Sequence, residues 1–284
     1  MARKTQRFDD RQSMKNKQFE IFHYRDKKPE NVGIHHHDFY EVYFFLGGNA
    51  RFSVEGQNYI LEKGDLLLIN PLELHQVRIE QDTLYDRMVL WINCSYLDAL
   101  GGTAANLAEC FDRSTPYHRN FIRPDPFQRA ALQALLEKMD TEFYGDHMGS
   151  TLYAQALLVQ FMLEVKRLAC HASEQSGTEE PALVTQLLNY IGHHFQENIT
   201  LERLASEFYV SKSYLSHEFQ RRVGTSIYRY VIFRRLMQAR ELMSEGQSPG
   251  SVYQVCGFGD YANFYRAFKA EYGISPREFM PEQK

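Results

Sequence analysis

A multidomain α+β chain is what this sequence predicts, with a β-barrel ahead of an all-helical domain, and three observations carry that reading. Residues 19–93 break into short runs rich in aromatic and β-branched residues, separated by Gly, Asn, Asp and Pro, the pattern of a barrel or jelly roll. Residues 183–284 instead repeat apolar positions at helical spacing. Within them one pattern occurs twice: Ser211, Leu215, Phe219 and Gly224 return as Asp260, Phe264, Phe268 and Gly273, each displaced by 49 residues. A length of 284 residues suits two domains that each bury a core.

Charge and cysteine usage narrow the class. From Leu183 onward the chain has 12 Lys and Arg against 10 Asp and Glu, and 20 against 26 before it, so an acidic part precedes a slightly basic one. Where those charges sit matters more than their sum. Cys94, Cys110, Cys170 and Cys256 are scattered, with no CxxC pair, which predicts free thiols in a reducing compartment. The longest apolar runs, such as Met88–Ile92, are strand-sized, and residues 1–7 are polar and basic. A cytoplasmic protein without membrane span or secretory signal is the expectation.

Residues 1–18 carry six Lys and Arg with little to bury and are read as a flexible arm. The barrel is placed at 19–122, with strands at Tyr40–Leu46, Arg51–Val54, Gln57–Leu61, Leu66–Ile69 and Leu84–Asn93. His35 and His37 share one face of an extended segment because side chains alternate. With Glu41 and the later His75 they form a group of three imidazoles and a carboxylate. Such a group can bind one ion, hydrogen-bond inside a polar barrel, or contact an organic ligand. The order His-x-His, three residues, Glu, six residues, Gly48, then Gly64, Pro71 and His75 resembles the cupin pattern. It departs from that pattern at Leu72 and Ile79, where Gly-like and Asn residues are usual. The group is read here as an effector pocket with Tyr43 and Trp91, whose rings can stack on a sugar, and without metal or other cofactor.

After Tyr96 the text is loop-like through Gly101-Gly102 to residue 120. Residues 123–171 predict a helical hairpin, one helix with Phe127, Ala131, Leu135, Met139 and Phe143 inward, the other with Leu152, Ala156, Val159, Leu163 and Lys166. A leftover apolar face there is expected to pair two copies into a homodimer. Residues 172–182 have linker composition. In the segment 183–284, Val184, Leu187, Leu188, Ile191 and Phe195 build a first helix. Two helix-turn-helix units follow at 200–223 and 248–272, joined by a long helix from Ser226 to Met243 in which Tyr230, Phe233, Leu236, Met237 and Leu242 are expected inside. Thr200, Ser211 and Asp260 stand at N-cap positions, and Pro249 in a first turn. In the first reader Tyr214, Leu215, Phe219 and Val223 are expected inward, leaving Lys212, Ser213, Ser216, His217, Gln220 and Arg221 outside. A short helix with such a face suits a major groove.

These residues bring out a resemblance. Leu204-Ala205, Ser211, Leu215-Ser216, Phe219 and Gly224, then Arg235-Leu236, Ala239 and Leu242-Met243, then Gly257-Phe258, Asp260, Phe264, Arg266, Phe268-Lys269, Gly273 and Ser275-Pro276 resemble the DNA-binding domain of the AraC/XylS transcription regulators. The barrel ahead of it resembles their cupin-like sensor domain. The resemblance implies a regulator whose barrel takes up a small molecule, often a sugar or related metabolite, and alters binding to double-stranded promoter DNA. An activator of this kind would also meet RNA polymerase. It implies Tyr261, Asn263, Tyr265, Arg266 and Lys269 as the second reader, with Arg266 set for guanine or phosphate and Lys269 and Arg221 as phosphate anchors. Tyr253 departs from the usual alanine at the helix crossing, Pro249-Gly250 from an aliphatic start, Met280 from a terminal arginine and His217 from a common arginine. A tyrosine at that crossing is expected to force the helices apart or to turn outward, so that the second unit docks less well or at a changed angle and the first is the stronger reader. The competing readings are a metal-dependent cupin enzyme with a helical accessory domain, and a protein-binding module, which lacks its apolar anchors.

Overall fold

The computed structural model describes residues 13–27, 32–71, 73–80, 84–102, 105–175 and 183–280; most of the expected arm, Leu72 and the linker from 176 to 182 lie outside these. The chain divides into two compact units, residues 1–179 and 180–284.

The first unit contains β1 (Phe19–Asp26), β2 (Val32–His35), β3 (Tyr40–Gly47), β4 (Ala50–Val54), β5 (Gln57–Ile60), β6 (Leu66–Ile69), β7 (His75–Ile79), β8 (Tyr85–Ile92) and β9 (Phe121–Ile122). Its helices are α1 (Cys94–Gly101), α2 (Pro126–Phe143) and α3 (Ser150–Gln175). The strands form two antiparallel sheets, ordered β1-β8-β3-β6-β9 and β2-β7-β4-β5. Alternation assigns the faces of the larger sheet. Tyr85, Val89 and Trp91 of β8 join Tyr43 and Phe45 of β3 and Phe52, Val54 and Val77 of the smaller sheet in one interior cluster. Met88, Leu90 and Ile92 face the other way, with Val42 and Phe44, and pack on α2 and α3. Because both faces are covered, β8 reads as a near-continuous apolar run.

Glu55 closes the β4–β5 hairpin in the left-handed region at φ 47°, followed by Gly56 at φ 75°. That conformation is unfavourable for a residue with a Cβ. Two bonds hold it: the Glu55 N–H donates to the Leu74 carbonyl at 2.8 Å, and the Leu74 N–H to its carboxylate at 2.7 Å. The hairpin is thereby fastened to the segment leading into β7.

Several sequence expectations are corrected. Residues after Tyr96 are not wholly loop: α1 starts from Asn93, whose side chain accepts the Tyr96 N–H, and buries Leu97. In α2 the buried positions are Leu132, Leu136, Met139 and Asp140, whereas Phe127 is 85% exposed and Ala131 is exposed. In α3 they are Ala154, Leu157, Leu158, Phe161, Met162, Val165 and Ala169, while Leu152 and Ala156 face outward. Both helices carry apolar residues on more than one face, and the bulkier stripe turns inward because it removes more apolar area from water. Helix α3 also runs on to Gln175, into the span read as linker.

The second unit is helical throughout its described residues: α4 (Leu183–His194), α5 (Leu201–Glu207), α6 (Lys212–Val223), α7 (Ile227–Ser244), α8 (Pro249–Val255), α9 (Tyr261–Tyr272) and α10 (Pro276–Phe279). Thr200, Ser211, Ser226, Asp260 and Ser275 cap their helices through side-chain oxygens. Gly224 and Gly273 end α6 and α9 in the left-handed conformation, where the missing Cβ removes the steric cost. Leu236, Ala239 and Met243 of α7 pack with Val252, Cys256, Phe258, Phe264 and Phe268. Tyr214 is 54% exposed, against expectation, because Leu215, Phe219 and Val223 already complete the buried row one position further round. Leu242 is only partly buried. Tyr253 does not spread α8 from its neighbours: its ring turns edge-on to Tyr261 at 5.7 Å and its hydroxyl accepts from Gln254 at 3.0 Å, leaving Val252 and Cys256 fully buried.

The two helix-turn-helix units share a turn. The Val210 N–H donates to Ala205 O in the first and the Phe258 N–H to Tyr253 O in the second, with Tyr209 (φ 54°) and Gly257 (φ 85°) at the left-handed position of each. First helices and turns are offset by 48 residues and the readers by 49; Gly259 is the extra residue.

Candidate effector site and DNA-reading surface

Strand geometry assembles the barrel group. His35 and His75 are cross-strand partners between β2 and β7, and Glu41 and Trp91 between β3 and β8. His37, Glu41 and His75 are buried, and one donor atom of each lies within 4.8 Å of the others. The Trp91 indole N–H donates to Glu41 Oε2 at 2.9 Å, and His37 Nε2 lies 3.2 Å from the same oxygen. His35 stands at the edge, half-buried, its ring 4.1 Å from that of His75. Tyr43 is not in the group: it packs against Phe52 and hydrogen-bonds the Tyr85 hydroxyl.

Electrostatics sharpen the contrast among these groups. Burial pushes the His75 imidazole well below its ordinary pKa, helped by the neighbouring His35 and His37, so it is neutral at physiological pH. Burial likewise lowers His35. For Glu41 burial acts upward, but the His37 and His35 rings and the Trp91 N–H outweigh it and hold the carboxyl below its usual range. Burial raises Tyr43 well above an ordinary phenol and Tyr85 to about 12, so both stay protonated.

Residue-by-residue reading missed the other polar group inside the barrel. Arg87 is 4% exposed, pairs with Asp26, and lies over the rings of Tyr85 at 4.3 Å and Tyr24 at 4.9 Å. The signal was present: Arg87 sits two residues after Tyr85 and four before Trp91 on one face of β8.

The DNA-reading candidates all reach solvent. Lys212, Ser213, Ser216, His217, Gln220 and Arg221 lie on the exposed side of α6, and Tyr261, Asn263, Tyr265, Arg266 and Lys269 on that of α9. Their charges are held differently. Lys212 pairs with Glu202 at 2.8 Å, and Arg221 with Glu218 at 2.6 Å. Arg266 donates to the neutral Asn263 Oδ1 at 2.6 Å and to Ala262 O at 3.3 Å, while Asn263 is itself bonded to Asp260. Asp260 thus caps α9 and, through Asn263, orients Arg266.

A two-sheet barrel carrying a buried polar group, in one chain with two capped helix-turn-helix units, defines a ligand-binding, DNA-binding regulator. Residues 19–162 match the family model of the AraC-like ligand binding domain and residues 204–281 that of a helix-turn-helix domain. The chain belongs to the AraC family of transcription regulators. It is 27% identical over 249 residues to the HTH-type transcriptional activator RhaS of Salmonella arizonae and of Salmonella typhimurium, covering 86% of this chain and 86% of each relative. Among solved structures, apo ToxT of Vibrio cholerae aligns with 93% of this chain and 97% of its own at 14% identity and a TM-score of 0.42. The C-terminal domain of AraT, a response regulator from Geobacillus stearothermophilus, aligns with 37% of this chain and 93% of its own at 26% identity and a TM-score of 0.35.

Proposed function

We propose that α6 and α9 read successive major grooves of promoter DNA through the eleven residues named above, and that a small molecule, a sugar or related metabolite, controls this reading from the barrel group of His35, His37, Glu41, His75 and Trp91. The observation that carries the DNA half is the paired construction: two N-capped helices, each closed by a left-handed glycine and each with its polar row outward. Joined by α7, two such helices suit sites about 34 Å apart on B-DNA. The relatives' designation as transcriptional activators supports contact with RNA polymerase. Exposed Phe127 and Leu152 on the helical hairpin support a homodimer. Four free cysteines support a reducing, cytoplasmic setting, and among the described residues no helix is long and apolar enough to cross a membrane.

The test is a footprint and titration of the full chain on the DNA upstream of its own operon. A protected site spanning two adjacent major grooves is expected, and Arg266→Ala should weaken it by about 1–3 kcal/mol. Equal affinity for every fragment would overturn the reading. Light scattering that shows only monomer at micromolar concentration would remove the dimer.

A further inference from the structure

We propose that the outer face of the smaller barrel sheet binds a small phosphate-bearing ligand between Arg51 and Arg78. Strand alternation puts both side chains there. Phe52 and Val77 point into the interior cluster, so Arg51 on β4 and Arg78 on β7 point away from it. The two arginines are direct cross-strand partners, and both are exposed. Directly opposed like charges destabilise a sheet, because their Cβ atoms stand only about 4.5–5.5 Å apart. Neither guanidinium has an ion pair, hydrogen bond or ring contact among the described residues. Elsewhere in the same unit Arg87, Arg113 and Arg123 are each paired with a carboxylate. The opposed pair therefore lacks the counter-charge that its neighbours have.

The surroundings select the ligand. A groove of about 430 Å³ runs beside the pair, lined by Gly33 of β2, Gln76 and Glu80 as well as by both arginines. A Cβ built on Gly33 would meet nothing within 4 Å, so the β2 side is open to an incoming group. Gln76, two residues before Arg78 on the same face, adds a neutral donor. Each guanidinium offers a planar fork of N–H donors. A carboxylate has a single pair of oxygens and fills one fork. A phosphate monoester has three free oxygens and about two negative charges, enough for both. A long polyanion fits less well. Glu80, exposed at the groove with its carboxylate accepting from the Asn49 side chain, would repel the next phosphate of a nucleic-acid backbone. The site lies on the opposite face of β7 from His75, so it does not rest on the effector reading above.

The full chain is titrated by calorimetry and followed by thermal melts with inorganic phosphate, glycerol phosphate, succinate and chloride, at low and matched ionic strength. Saturable binding of both phosphates is expected, with little response to succinate and none to chloride. Arg51→Gln and Arg78→Gln should each weaken phosphate binding about 10-fold or more. In chloride each variant should melt at or above the wild-type midpoint, because the opposed charge is gone. Arg167→Gln, on α3 and paired with Glu164, should leave phosphate binding unchanged. Circular dichroism confirms that the variants fold. Absence of saturable phosphate binding by the wild type, equal binding of succinate, or binding that survives both substitutions would overturn the proposal. So would a promoter-binding salt slope that falls in Arg51→Gln or Arg78→Gln, since the face would then belong to the DNA backbone.

Discussion

Glu218 sits between the two arginines at the end of the first reader, and removing its charge should strengthen the grip on DNA. Its Oε1 accepts from Arg221 Nη2 at 2.6 Å and Arg222 Nε at 3.0 Å, and its Oε2 from Arg221 Nε at 2.9 Å. Those bonds hold the Glu218 carboxyl down at about 2. A depressed carboxylate stabilises the fold above its ordinary value of 4.5 and loses that contribution only as pH falls toward about 2, so the clamp is closed at every pH where binding is measured. In Glu218→Gln each lost pair costs about 0.2–0.5 kcal/mol of helix stability, as for exposed pairs three and four residues apart. Arg221, 54% exposed, is then available for a phosphate. One added phosphate contact steepens the dependence of log affinity on log salt by about 0.9, so raising salt from about 50 to 200 mM should weaken the variant roughly 3.5-fold more than wild type. Fluorescence anisotropy over a salt series, with circular dichroism to confirm folding, measures both. An unchanged slope in a folded variant would refute the placement of Arg221 on the backbone.

Three further outcomes are expected. Gly257→Ala should lower stability by about 2–4 kcal/mol in urea unfolding, since φ is 85° and a Cβ would lie 2.4 Å from the Gln196 carbonyl oxygen. At the same turn position of the first unit, Tyr209→Gly should leave stability unchanged or raise it by up to about 1 kcal/mol, because relief of left-handed strain slightly exceeds the entropy cost of glycine and the ring is 95% exposed. In the barrel, Trp91→Phe removes the indole donor from the buried Glu41 carboxylate and should cost about 1–3 kcal/mol in a thermal melt.

Local signals made much of the fold legible. The helix caps at Thr200, Ser211 and Asp260 and the glycines closing α6 and α9 are short-range chemistry, fixed by residues three or four positions apart. Strand β6 was readable to the residue because Leu66–Ile69 is bounded by Gly64-Asp65 and Asn70-Pro71. What needs tertiary context was misread. Phe127 and Leu152 are apolar and at helical spacing, yet a competing stripe on the same helices won the core. Tyr253 looked too large for its crossing, and only the position of Tyr261 shows where its ring goes. The histidines were legible as a group, but not their ring orientations, which depend on carbonyls two residues away that only the fold brings to the ring.

The ion pairs on α6 favour the opposite ranking of the two readers. On sequence the second unit looked weaker because of Tyr253, while Ala205 kept the tight crossing of the first. In the structure the first reader's cations are largely spent: Lys212 is paired with Glu202 and Arg221 with Glu218. A cation already neutralised must give up its partner before it can replace a counterion on DNA, so it adds little to the salt slope. Arg266 is bonded only to neutral acceptors, and Lys269 makes no ion pair among the described residues. The second reader should therefore supply most of the salt-dependent attraction. Arg266→Ala/Lys269→Ala should reduce the salt slope by about 2, and Lys212→Ala/Arg221→Ala by less than about 1. The opposite order, in variants that keep the wild-type circular dichroism, would mean that the intramolecular pairs on α6 break freely at the DNA surface and that the first reader dominates after all.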